Sequence, residues 1–242
     1  MTCDYFGLCG SCKLYELDYT SQLEYKTDEA KKLFEPLHVK NFDIIKSDEK
    51  HYRSRAEFQI WHEGDDLFFA MNKREGHGKL PITKCPKVDP AIDALMPRLI
   101  ELLRPNEMLR HKLFAVEFLS AREEMLVTLI YHKKLDEHWD VEAQKVAEAL
   151  TIKLIGRSRK VKRVLNDDFV LERLHVKNED YTFKMIEGGF SQPNRHVNEQ
   201  MISWVKEQLD SATCKDLLEL YCGHGNFTIP LSRDFNKVLA TE

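Results

Sequence analysis

No stretch of this sequence approaches the ~18 uninterrupted apolar residues of a membrane-spanning helix. Its first residues, Met1-Thr2-Cys3-Asp4-Tyr5, lack the basic start and apolar run of an export signal. The two absences point to the cytoplasm, where disulfides rarely persist, so the six cysteines need another reading. There is no internal repeat and no low-complexity tract, which argues against a repeat array or a disordered linker. Acidic and basic residues nearly cancel, leaving a formal net charge of −4. The whole-chain balance therefore does not announce a polyanion partner, and any nucleic-acid site must be a local patch.

What is present is ordinary globular material. The 242 residues are 43% hydrophobic and 31% charged, enough for one large domain or two small ones. Residues 13–35 carry Leu14, Leu17, Leu23 and Phe34 among many charges, which predicts an amphipathic helix stopped at Pro36. Residues 52–62 alternate in polarity, turn at Glu63-Gly64-Asp65-Asp66 and return through LFFAM, a hairpin pattern. Gly76-His77-Gly78 and Pro81 mark loops. Helices are expected over about 90–103 and 136–150, and strands over 113–119, 125–131 and 152–156. The mixed order predicts an α+β unit. From Gly188 the character changes: a loop through GGFSQPN, a helix from Arg195 to Leu209, and then a different pattern.

That last pattern runs from residue 217 to 242. LLEL suits a buried strand, and Tyr221-Cys222-Gly223-His224-Gly225-Asn226 follows with two glycines two apart. Such glycines let the backbone turn tightly and approach a ligand. Phe227–Arg233 can start a helix, with Pro230 in its first turn. KVLAT is a second strand, and Glu242 stands 23 residues after Glu219, where such folds bind ribose hydroxyls. The full G-x-G-x-x-G is missing, so a nucleoside without phosphates, such as S-adenosylmethionine, fits better than a dinucleotide. A plain tight turn between packed elements is the bland alternative.

Taken together, ELYCGHGNFT, FSQPN, YRSRAEFQIWHEGDD, LRHKLF and YHKKLD make the chain resemble the tRNA (uracil-5)-methyltransferases from about Tyr52 to Glu242. The resemblance implies an α+β RNA-binding unit followed by the start of an α/β Rossmann-like, S-adenosylmethionine-dependent methyltransferase domain. The expected divisions are 1–46, a cysteine-containing tail and helix; 47–186, the RNA-binding unit; and 187–242, the beginning of the methyltransferase domain. It implies cofactor contacts at Gln192, Tyr221, Asn226 and Glu242, with Glu219, Gly223 and Gly225 completing the loop. Cys222 and His224 are read as structural, His224 as an exposed loop side chain. Family chemistry uses a cysteine thiolate that adds to uracil C6 and a carboxylate base that removes the C5 proton. Both are expected beyond Glu242, so this chain alone is predicted to be inactive, and neither Cys214 nor Cys222 is a candidate nucleophile. A monomer is expected for the full-length protein, with association of this chain through uncovered strand edges.

Cys3, Cys9 and Cys12 form C-x5-C-x2-C, and Cys85-Pro86 follows after 72 further residues. Four thiolates suit tetrahedral zinc or a 4Fe–4S cube. CDYFGLCGSC is also similar to the iron–sulfur loop of the ribosomal-RNA branch of the same family, which implies a cluster, with zinc or free thiols as alternatives. The body of the sequence resembles the tRNA branch, so ribosomal RNA remains an alternative substrate and a non-catalytic RNA-binding iron–sulfur module an alternative function. Basic residues cluster at Arg157, Arg159, Lys160, Lys162 and Arg163, at 110–112 and at 132–134. Each patch alone would pass for a solvated face. With the family's T-arm substrate they imply RNA contacts, Phe114 stacking on the loop and Arg53 and Arg55 meeting phosphates.

Overall fold

The computed structural model describes residues 3–14, 16–39, 41–209 and 215–242, so Cys214 lies outside the described residues. Helix α1 (Tyr19–Phe34) precedes strands β1 (Arg55–Glu63), β2 (Asp66–Asn72) and β3 (Lys79–Ile82). Helices α2 (Pro90–Leu103) and α3 (Glu107–Arg110) lead to β4 (Leu113–Ser120) and β5 (Met125–Tyr131). Helix α4 (Glu137–Leu150) is followed by β6 (Lys153–Ser158), β7 (Val161–Val164), β8 (Phe169–Val176) and β9 (Glu179–Ile186). Helix α5 (Arg195–Leu209), strand β10 (Asp216–Leu220), the short α6 (Thr228–Leu231) and β11 (Lys237–Thr241) complete the chain.

Strands β1–β7 form one sheet in the order β3-β2-β1-β4-β5-β6-β7. Every neighbouring pair is antiparallel except β5 and β6. Parallel neighbours need a crossover, and α4 supplies it. The period of two sends alternate residues to opposite faces. Phe58, Ile60, Val116, Phe118, Val127 and Leu129 share one core with Leu95, Leu99 and Leu103 of α2 and Trp139 of α4. Leu119, Leu126 and Ile155 belong to a second core with Val170, Leu174 and Phe183 of the β8–β9 hairpin and Ile202 of α5. The sheet is thus sandwiched at its β4–β6 side, whereas Glu57 and Trp61 of β1 stay exposed.

Local chemistry explains the main joints. Asp89, Asn106 and Asp136 cap α2, α3 and α4 by accepting from the backbone amides of Ala91, Leu109 and Trp139. Each such cap stabilises by ~1 kcal/mol. Gly156 lets β6 pass the fully buried Trp139: a Cβ there would lie 2.5 Å from the indole and 2.7 Å from Leu135.

Several expectations need correction. Helix α1 begins at Tyr19 rather than near residue 13, because the Asp18 carboxylate accepts from the Ser21 amide and caps it there. Pro81 is no loop residue. It pairs with Ala70 on the edge strand β3, where one ladder donor can be spared. Strands β7, β8 and β9 were not expected at all. In β8 the inward register is Val170, Glu172, Leu174 and Val176, and the carboxylate interrupts the apolar pattern. None of the described helices is long and apolar enough to cross a membrane.

Candidate functional site

β10 and β11 run parallel, with Leu217 opposite Val238 and Leu220 opposite Thr241. The turn between them is built from left-handed residues: Tyr221 at φ +57°, Gly223 at +56° and Gly225 at +83°. Nothing crowds the position a Cβ would take on Gly223, whereas on Gly225 it would press on Ile229 at 3.2 Å. Tyr221 holds the same unfavourable region without being glycine, at a cost on the order of 1 kcal/mol, and the residue is 89% exposed. The Gly223 amide donates to Glu242 Oε2 at 2.6 Å, and the Cys222 amide to the Thr241 carbonyl at 2.9 Å. The acid at the end of the second strand is therefore turned towards the glycine loop. Among the described residues the other carboxylate oxygen has no partner, which leaves its lone pairs for hydroxyl donors. Glu219 is used differently, accepting from the Thr228 hydroxyl at the start of α6.

Gln192, Arg195, Asn198, His224 and Asn226 line one small cleft with Glu172. The Gln192 segment is anchored to the sheet by the Ser54 amide donating to Pro193 O at 2.7 Å. Next to Gln192, Ser191 buries its hydroxyl with no partner among the described residues. Asn198 and Asn226 are both buried and exchange amide hydrogen bonds, 2.8 Å in each direction. Arg195 ties α5 to the rest: Nε donates to Glu172 at 2.7 Å, Nη1 to Asp89 at 3.4 Å and Nη2 to Ser120 O at 3.0 Å. Glu199 adds bonds from Arg122 and from the His175 amide. Burial holds the Glu172 carboxyl above its ordinary pKa, against the opposing pull of Arg195. His224 is not the exposed side chain expected. Its ring meets the edge of Phe183 with centroids 5.7 Å apart, and burial lowers its pKa, against a backbone hydrogen bond with Phe190. Asn198, Arg195 and Glu172 went unread in the sequence. The available signal was Asn198 standing four residues before Ile202, on the apolar stripe of α5.

The basic run divides in two. Arg157 forks onto Glu187, Lys162 meets Asp168 and Glu187, and Arg163 grips Asp140. Arg159 and Lys160, at the turn from β6 to β7, are exposed. Arg55 is drawn to Glu117 and the Gly189 carbonyl, and the Arg53 side chain bonds the Arg55 carbonyl. Phe114 sits where the β4–β5 register shifts, 41% exposed, stacked on His132 with centroids 4.4 Å apart and planes at 18°. Lys112, His132 and Lys134 beside it are exposed.

Cys3, Cys9, Cys12 and Cys85 line one cavity, together with Phe58, Met71 and Ile82. The tail carrying the first three is pinned to the hairpin, Gly10 N donating to Asn72 O at 2.9 Å and Thr83 N to the Tyr5 hydroxyl at 3.0 Å. Burial raises the Cys85 thiol pKa, and Cys3 and Cys12 add to it, against backbone hydrogen bonds from Lys87 and Val88. Among the described residues, no group of three or more His, Cys, Asp or Glu side chains is gathered tightly enough to hold a metal ion. The four thiols surround a shared space without meeting at one point.

The sequence model of the family described as tRNA (Uracil-5-)-methyltransferase matches residues 18–242, a span that excludes the first three cysteines. A tRNA/tmRNA (uracil-C(5))-methyltransferase of Aliarcobacter butzleri is 49% identical over all of this chain and 66% of its own length. The protein of the same description from Campylobacter concisus is 47% identical over all of the chain and 65% of its own length. That from Neisseria meningitidis is 48% identical over 93% of the chain and 62% of its own length. The chain thus spans about two thirds of the length of these curated relatives. Its fold is similar to the crystal structure of Pyrococcus abyssi tRNA (uracil-54, C5)-methyltransferase in complex with S-adenosyl-L-homocysteine. The TM-score is 0.70 at 17% identity, over 97% of this chain and 60% of that one. The chain belongs to the tRNA (uracil-5-)-methyltransferase family.

Proposed function

We propose that this chain carries the RNA-reading part and the first half of the cofactor site of an enzyme that methylates C5 of a uridine in the tRNA T-loop. The observation that carries the reading is the Glu242 carboxylate, aimed by the Gly223 amide into a loop of left-handed residues. Its chemistry fits S-adenosylmethionine, which when bound supplies an electrophilic methyl group. A carboxylate with free lone pairs accepts from two adjacent ribose hydroxyls. The Gln192 and Asn226 amides offer donors and acceptors to the amino-acid end. The outward ring of Tyr221 offers a surface to the base. No cysteine of this chain is assigned as nucleophile: Cys222 lies in the cofactor loop, four others line the N-terminal cavity, and Cys214 is outside the described residues.

A T-loop uridine must leave its stack to react, at a cost of a few kcal/mol, so a unit that holds the opened loop is needed. The Phe114–His132 stack supports that role, since a preformed aromatic face receives a base without first being ordered. Arg53, Lys112, Lys134, Arg159 and Lys160 are exposed cations suited to phosphates. The divisions 1–46, 47–186 and 187–242 are kept as working units of this reading. In the full-length protein, Glu242→Gln is expected to weaken S-adenosylhomocysteine binding ~10-fold or more, from loss of a charge-assisted bond. Calorimetry showing no binding by the unaltered protein at millimolar ligand would end the proposal.

We further infer that the four-cysteine cavity takes a 4Fe–4S cluster rather than zinc. Zinc draws four sulfurs to ~2.3 Å from a single point, whereas a cube takes one thiolate at each of its corners. The support is that the four thiols of the sequence pattern line one cavity. A brown anaerobic preparation absorbing near ~400 nm is expected. A colourless protein holding one zinc per chain would overturn the assignment.

A further inference from the structure

We infer that Asn198 of helix α5 is a positioning residue for the cofactor loop, acting through Asn226. The inference rests on the proposed cofactor site. Asn226 is the last residue of the glycine turn and is 8% exposed. Its Oδ1 accepts from Asn198 Nδ2 and its Nδ2 donates to Asn198 Oδ1, both at 2.8 Å. A primary amide can otherwise turn end for end, exchanging donor and acceptor. Pairing with a second amide in this reciprocal way removes that freedom. The direction of the remaining Asn226 N–H and lone pair towards the cleft is therefore set by Asn198.

Asn198 is itself held firmly. It is 3% exposed, and its helix is fastened on both flanks, by Arg195 to Glu172, Asp89 and Ser120, and by Glu199 to Arg122 and the His175 amide. The turn is otherwise closed by local bonds such as Gly225 N to Cys222 O and by the Glu242 contact. The amide pair is thus a side-chain bridge from the turn to the helix, and it borders the same cleft as Gln192 and His224. A role confined to stability would not require the two amides to act together on ligand affinity.

The test uses the full-length protein and S-adenosylhomocysteine as probe, with binding followed by calorimetry. Asn198→Ala and Asn226→Ala are each expected to weaken binding about tenfold, and the double variant no more than the weaker single one. Asn198→Asp keeps shape and acceptor but loses the donor, so it guards against a variant that fails to fold. Its carboxyl becomes a donor again when protonated, and affinity is expected to recover as pH falls, with no such recovery in the parent. Unchanged affinity in a folded Asn198→Ala protein, losses that multiply in the double variant, or a pH-independent Asn198→Asp would each overturn the inference. A parent protein that binds no S-adenosylhomocysteine would instead sink the proposed function, and this inference with it.

Discussion

Replacing Arg195 with leucine isolates the joint that fastens α5 to the sheet. The Glu172 side chain is 4% exposed and Arg195 16%, so the pair sits largely out of water. Removing one partner of a buried pair costs ~3–5 kcal/mol, because the other charge is left stranded. Asp89 and the Ser120 carbonyl each lose the bond from Arg195 as well. Taking the lower end, ~3 kcal/mol, a chain of this size loses ~6 °C in thermal midpoint at ~2 °C per kcal/mol. The loss depends on pH in a definite direction. Burial raises the Glu172 pKa in the folded state even with Arg195 present. Its contribution is therefore present below the unfolded carboxyl pKa and lost as pH rises through the folded one. Without Arg195 the folded pKa moves further up. The destabilisation of Arg195→Leu is then smaller near about pH 5 than near about pH 8. Differential scanning calorimetry at both pH values measures it. Adding Glu172→Gln should recover part of the loss, since a neutral amide strands no charge. A fall equal at the two pH values, or no recovery in the double variant, would refute the reasoning.

Four further outcomes are expected. Gly156→Ala pushes a methyl to 2.5 Å from the buried Trp139 indole and should cost ~1–3 kcal/mol in urea denaturation; parental stability would mean that the ring is not seated there. Phe114→Ala should weaken binding of a T-arm RNA about tenfold by filter or fluorescence assay, the usual scale for one stacked base, with unchanged affinity counting against the platform. Replacing Arg159 and Lys160 together should reduce the slope of log affinity against log salt by ~2. Arg163→Ala, which breaks the Asp140 pair, should lower stability, and the opposite pattern would reverse the assignment of the two groups.

Much of the fold was legible because its signals are local. Helix α2 was readable from five apolar residues at helical spacing, α5 from its stretch after the Gly-Gly loop, and β11 from KVLAT before an acid. β8 was not, because its inward row includes Glu172, a carboxylate that reads as surface until Arg195 is found opposite it. The basic run from Arg157 to Arg163 read as one patch, since a sequence does not show which cations already have partners. Three of them are held by Glu187, Asp168 and Asp140, from β9's end, the loop before β8 and α4.

By itself, the sequence determined helices α2, α4 and α5, the first hairpin, the glycine turn, the acid after the second strand and the four thiols of the tail and hairpin. Each depends on neighbours within a few residues of one another or on residue type alone. Only the tertiary structure decided that the four thiols share their cavity with Phe58, Met71 and Ile82, and that Asn198 meets Asn226 across 28 residues of chain. Such meetings depend on how strands and helices pack at a distance. A buried polar group can be told from a solvated one only when its partner is in view.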